Sequence, residues 1–188
     1  WAKKGASYKP GRQMNFNPEN ITPPYPIRLE KRGRKEWEFA WPSDVLELNE
    51  VFEEAINYFD AGEITRAKRT LNGIIKACPY FVDAHNHLGL IEWKKCNWKK
   101  VISHYKKAYN ICQSAIPGNF KGRLPWSWTD NRPFLRAIQG LALGHLRQGN
   151  INEALQLLER LLKLNPDDEQ NVKLLLEDMK KGKLVWDD

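Results

Sequence analysis

The chain has 188 residues, 41% of them hydrophobic and 28% charged, enough for one unit with a sizeable core. Lys and Arg outnumber Asp and Glu by 30 to 23, but residues 1–42 carry net +5 and residues 43–188 only +2, so attraction to nucleic acid or an anionic surface would reside in the N-terminal extension. No run of 18 apolar residues exists, which excludes a membrane-spanning helix, and three cysteines without a CxxC pair exclude a disulfide framework.

Cys78, Cys96 and Cys112 read as buried thiols of the cytoplasm or another reducing compartment. The start at Trp1 and not Met reads as a truncated N-terminus. With Lys3, Lys4, Lys9 and Arg12 unopposed by acid before Glu19, an organelle address upstream is compatible with the chain.

Residues 1–26 are rich in Pro, Gly, Asn and Lys, with isolated aromatics at Trp1, Tyr8, Phe16 and Tyr25, and read as an extended arm. From Ile27 to Trp41 apolar residues alternate on both sides of Lys31-Arg32-Gly33-Arg34, which predicts a β-hairpin with a basic tip. A lone hairpin is marginal in water, so its aromatic face is expected to cap the first repeat helix. The extension thus spans residues 1–42 and the helical unit 43–188.

A helix is predicted from Pro42 to Gly62, with Ser43 or Asp44 as N-cap and Asp44 and Glu47 at capping-box spacing. Its partner runs over about 64–77. A second pair covers about 82–95 and 98–112, and a third about 133–148 and 151–164. A last helix is predicted over 167–181, with Asp167-Asp168 and Lys180-Lys181 suiting its dipole and Val172, Leu175, Leu176 and Met179 covering the preceding pair.

The helix pairs share a pattern. Ala55-x2-Tyr58-x3-Gly62-x4-Ala67-x3-Leu71-x7-Pro79 recurs as Ala142-x2-His145-x3-Gly149-x4-Ala154-x3-Leu158-x7-Pro166. Between them lies a weaker copy with His85, Leu88, Gly89, Tyr105 and Ala108 in register, but Glu92 for the aromatic, Val101 for the small residue and Gln113 for the proline. The period of about 34 residues resembles tetratricopeptide repeats. The resemblance covers about residues 45–181 and implies an all-α fold: a TPR-like α-α superhelix of three helix-turn-helix repeats plus a C-terminal capping helix, preceded by the arm and hairpin. Roughly 19 residues, about 114–132, are inserted between the second and third copies.

In this family the first helix of each pair lines a concave groove. Carried over, the groove residues are Asn49, Phe52, Ile56 and Phe59; then Asp83, Asn86, Leu90, Trp93 and Lys94; then Arg136, Gln139, Leu143 and Arg147. The set would suit a peptide with apolar anchors, with Arg136 and Arg147 available to a carboxylate. It does not reproduce the carboxylate clamp of chaperone-binding members, since Phe52 and Ile56 stand where Lys and Asn are wanted. Phe52, Ile56, Phe59, Leu90 and Trp93 equally fit plain inter-repeat packing, and the chain's own arm could fill the groove.

Trp126, Trp128 and Arg132 of the insertion could stack on a base, a sugar or an aromatic side chain. The favoured alternative is structural, with the indoles against the repeat edge and Asp130 or Asn131 capping the helix that begins at Arg132-Pro133. Lys31, Arg32, Arg34 and Lys35 at the hairpin tip form a basic patch suited to sequence-blind phosphate contact. His85 and His87, two apart on a helix, point about 200° apart and cannot share an ion; His85 reads as a core residue and His87 as a surface one. No zinc spacing, GxSxG, phosphate-loop or dinucleotide fingerprint occurs, so neither metal, cofactor nor catalysis is expected. The expected function is a non-catalytic scaffold that binds a protein or peptide partner in the concave groove. The alternative is a ribonucleoprotein or nucleic-acid-associated component that docks through the basic arm.

Overall fold

The computed structural model describes residues 25–181. The extended arm before Tyr25, including Trp1, Tyr8 and Phe16, and the helix stop at Gly182 lie outside the described residues. An antiparallel hairpin, β1 (Arg28–Lys31) and β2 (Trp37–Ala40), opens the described chain, with Leu29 opposite Phe39 and Lys31 opposite Trp37. Eight helices follow: α1 (Ser43–Glu47), α2 (Asn49–Asp60), α3 (Ile64–Ala77), α4 (Val82–Trp93), α5 (Trp98–Gln113), α6 (Arg132–Arg147), α7 (Ile151–Leu164) and α8 (Val172–Lys180). Each of the pairs α2/α3, α4/α5 and α6/α7 packs on itself and on the next helix along. Because α4 also lies against α6, the first helices of the pairs form the inner side of the stack.

The turn inside each pair has the same chemistry. Gly62 (φ 76°) and Gly149 (φ 78°) adopt the left-handed conformation two residues before α3 and α7, and the following amides donate back to the Tyr58 and His145 carbonyls. In the middle pair Cys96 takes this place at φ 52°, with the Asn97 amide on the Glu92 carbonyl. Cys96 is therefore exposed, whereas Cys78 and Cys112 are buried as expected. Burial pushes the Cys78 thiol up to about 12.

The middle copy is matched to its neighbours and not simply degraded. Tyr105, larger than the Leu71 and Leu158 it corresponds to, is 5% exposed and lies over two glycines. A Cβ on Gly89 of α4 would stand 2.6 Å from its ring, and one on Gly140 of α6 only 2.3 Å. Val101, larger than Ala67 and Ala154, meets Gly144 of α6 at 3.1 Å by the same measure. Glycines 140 and 144, one helical turn apart, flatten α6 where α5 is bulky, so packing density is kept across the interface. Glu92, almost fully buried, accepts from Lys68 Nζ of α3 at 2.6 Å and from Asn97 Nδ2 at 3.3 Å; the Lys68 bond holds its carboxyl below the usual range. Gln113, in place of the proline, accepts from Arg160 of α7.

Three expectations are corrected. The first helix is broken at Leu48, and no capping box forms. Its first turn is instead tied down by Asp44, which accepts from the Tyr80 hydroxyl and the Val45 amide. The last helix begins at Val172 and not at residue 167, because Asp168 turns left-handed (φ 61°) and its carboxylate caps the Val172 and Lys173 amides at 2.6 and 3.0 Å. The hairpin's aromatic face lies on the insertion and the third pair, not on the first repeat helix: Phe39 meets Phe134 of α6 edge-on at 5.5 Å, and Trp37 meets Phe120 at 5.8 Å.

The insertion explains that placement. The Arg123 amide donates to the Lys35 carbonyl at 2.6 Å, and the Trp37 amide to the Arg123 carbonyl at 2.9 Å, a parallel bridge along the outer edge of β2. Leu124, fully buried, donates its amide to the Leu164 carbonyl at the end of α7 at 2.7 Å. Gly122 sits beneath the Trp37–Phe120 pair, where a Cβ would lie 2.4 Å from the indole. Asn131, in a short turn over Thr129–Asn131, does not cap α6. Its side chain accepts from the Phe39 amide at 3.2 Å and donates to the Trp37 and Pro125 carbonyls at 3.0 and 3.1 Å. An open edge of β2 that would otherwise invite pairing is thus covered by the chain's own insertion.

Candidate functional site

The inner face formed by α2, α4 and α6 carries two clusters of polar and aromatic side chains. At the N-terminal ends of these helices a pocket of about 150 Å³ is walled by Trp41, Asn49, Phe52, Asp83, Asp130 and Pro133 among others. Asp83 is held by two donors, Asn86 Nδ2 at 2.9 Å and Arg136 Nη1 at 3.4 Å. The same Asn86 amide nitrogen donates to the Pro133 carbonyl at 2.9 Å, which links α4 to the start of α6. Arg132 and Arg136 lie over the Trp126 ring, 5.5 and 5.6 Å from its centroid. Partial burial raises the Asp130 carboxyl above its ordinary value, against the pull of Arg32.

Toward the C-terminal ends the second cluster is cationic and aromatic. Lys94 Nζ stands 4.0 Å over the Phe59 ring, and Arg147 lies 5.8 and 5.2 Å from the Trp93 and Trp98 centroids, the two indoles meeting edge to face at 5.1 Å. Leu90, 38% exposed, lies in the last turn of α4, one turn before Lys94. An exposed apolar side chain flanked by cations held on aromatic faces can receive an apolar anchor next to a carboxylate.

Sequence comparison agrees with this architecture. A family model described as "Tetratricopeptide repeat" matches residues 135–177, the third pair and the start of α8. Residues 135–177 match a tetratricopeptide repeat, and the chain as a whole has a tetratricopeptide-like fold. Among 44 solved chains that match, the N-terminal domain of stress-induced protein-1 (STI-1) from C. elegans superposes with a TM-score of 0.53 at 12% identity, covering 72% of this chain and 98% of that one. No curated protein matches the sequence.

The residues expected to line a groove fall into three groups. Phe52 and Asn86 are buried, Phe52 against the rings of Phe81 and His87 at 5.1 Å each, and they join repeats to one another. Gln139 is engaged by the loop ahead of α8: it accepts from Gln170 Nε2 at 2.7 Å and donates to the Gln170 carbonyl. Asn49, Leu90, Lys94 and Arg136 are exposed, and Ile56, Phe59, Asp83, Trp93, Leu143 and Arg147 half-buried on the same side. His87 is not a surface residue, since its half-buried ring lies edge-on against Phe52 and Phe59.

In the insertion, Trp126 and Trp128 are half-buried, and Arg132 donates from Nε to the Trp126 carbonyl at 2.9 Å. At the hairpin tip Arg32 is paired with Glu30 and Glu38, both at 3.1 Å, while Lys31, Arg34 and Lys35 remain exposed. The sequence pattern assigns Asn131 a capping role and none to Trp98, Lys121, Arg123, Arg160 and Lys163, because what Arg123 and Arg160 meet lies on distant parts of the chain. Among the described residues no group of three His, Cys, Asp or Glu is placed to hold a metal ion, and no helix is long and apolar enough to cross a membrane.

Proposed function

We propose that this protein is a non-catalytic interaction scaffold whose concave face binds a protein segment carrying an apolar side chain beside an acidic group. The observation that carries the reading is the exposed Leu90 set between Lys94 on Phe59 and Arg147 between Trp93 and Trp98, with Arg136 at the opposite end. A desolvated carboxylate paired with a guanidinium fixed over indoles forms a strong, charge-assisted contact. The groove is wide enough in chemistry to suit an extended or helical segment with anchors at regular spacing.

The test is selection from a library of displayed peptides with the full chain, followed by titration of the selected peptides. Enrichment of an apolar residue near Asp or Glu is expected, with affinity lowered at least tenfold by Leu90→Asp, Phe59→Ala or Arg136→Ala. Peptides without an acidic residue, or binding unchanged in all three variants, would overturn it.

A further inference from the structure

The groove between α5 and α7, on the opposite side from the concave face, opens into a set of depressions that share their walls. The first is lined by Lys106, Tyr109, Arg160 and Lys163; the second keeps Arg160 and Lys163 and adds Phe120 and Lys121. A third keeps Phe120 and Lys121 and adds Trp37, Arg34 and Lys35, and a fourth keeps Arg34 and Lys35 and adds Arg123. Among the described residues lining it, two carboxylates, Glu153 and Glu36, oppose the cations. The rings interleave with the charges: Arg160 lies 5.5 Å over Tyr109, and the half-buried Trp37–Phe120 pair rests on Gly122 between Lys121 and the hairpin tip.

We infer that this track is a docking surface for single-stranded nucleic acid. The charge belongs to no single segment: it is assembled by α5, α7, the insertion and the hairpin, the Lys35–Arg123–Trp37 bridge tying the hairpin to the insertion and the Leu124 amide tying the insertion to the Leu164 carbonyl of α7. A row of cations follows a phosphate backbone, and aromatic rings set between them supply faces on which bases stack. An acidic peptide would satisfy the cations but bring no flat faces to the rings. A duplex keeps its bases stacked inside and could use the charge alone. The surface is independent of the concave face, so either reading can fail without the other.

The experiment is fluorescence anisotropy of the full chain with labelled oligo(U) and oligo(dT) across a salt series. Each phosphate contact contributes about 0.7 to the slope of log affinity on log salt for single strands, so Lys35→Ala/Lys121→Ala/Lys163→Ala is expected to reduce the slope by about 2. Phe120→Ala is expected to weaken binding roughly tenfold with the slope unchanged, as loss of one stacked base would. Lys76→Ala on α3, outside both surfaces, should leave affinity and slope unchanged, and circular dichroism checks that each variant is folded. An unchanged slope in the triple variant would overturn the inference, since the basic arm would then carry the binding. Equal affinity for polyglutamate or for a duplex of the same length would overturn it as well.

Discussion

Replacing Asn131 with alanine is expected to unfasten the hairpin from the repeats. The side chain is fully buried and makes three hydrogen bonds to backbone groups, two in the distant hairpin (the Phe39 amide and the Trp37 carbonyl) and one in its own insertion (the Pro125 carbonyl). A net contribution of about 1 kcal/mol for each bond sets a floor near 3 kcal/mol. Leaving buried backbone groups without partners costs about 1–3 kcal/mol each, so relaxation of the loop decides how far above that floor the loss rises. Urea denaturation followed by tryptophan fluorescence gives the global value, and hydrogen exchange gives the local one. The Phe39 amide, bonded outward to Asn131 and not to β1, should exchange much faster in the variant, while amides within α3 keep their protection. A loss below 1 kcal/mol together with an unchanged Phe39 exchange rate would refute the reasoning.

Two further outcomes follow from packing and titration. Gly140→Ala forces a Cβ to within 2.3 Å of the Tyr105 ring and should cost about 1–3 kcal/mol by overpacking, whereas Gly73→Ala in α3 meets open space and should stabilise by roughly 0.5–1 kcal/mol; thermal melts of both variants check the contrast. His85, 5% exposed, donates from Nε2 to the Pro79 carbonyl at 3.2 Å, and burial lowers its pKa from 6.5 to about 4. The folded state keeps the imidazole neutral while the unfolded chain protonates, so its stabilising contribution is present above pH 6.5 and is lost, by about 3 kcal/mol, as pH falls to 4. His85→Gln should flatten the pH dependence of urea stability in that window, and an unchanged slope would count against the assignment.

Much of the fold was legible because repeat signals are local. Ala55, Gly62, Ala67 and Leu71 and their counterparts near Gly149 sit a few residues apart, and each acts within one turn or one helix pair. The candidate groove residues came from the same register, and all but Phe52 and Asn86 are exposed or half-buried. What the register could not supply was the use to which a residue is put. Phe52 and Asn86 are spent on joining repeats and Gln139 on holding the loop before α8, because those partners come from other helices.

The sequence by itself determined the helical period, the left-handed turns at Gly62 and Gly149, the hairpin, and the existence and length of the insertion. Only the tertiary structure decided where the hairpin and insertion go. Their junction rests on hydrogen bonds to backbone groups some ninety positions apart: Lys35 and Trp37 pair with the Arg123 backbone, and the Asn131 side chain reaches the backbone of Trp37 and Phe39. Backbone groups are chemically alike in every residue, so no pattern of side chains announces such a pairing. The same holds for Tyr105 over Gly89 and Gly140, where a large side chain is tolerated only because its neighbours on two other helices are glycine.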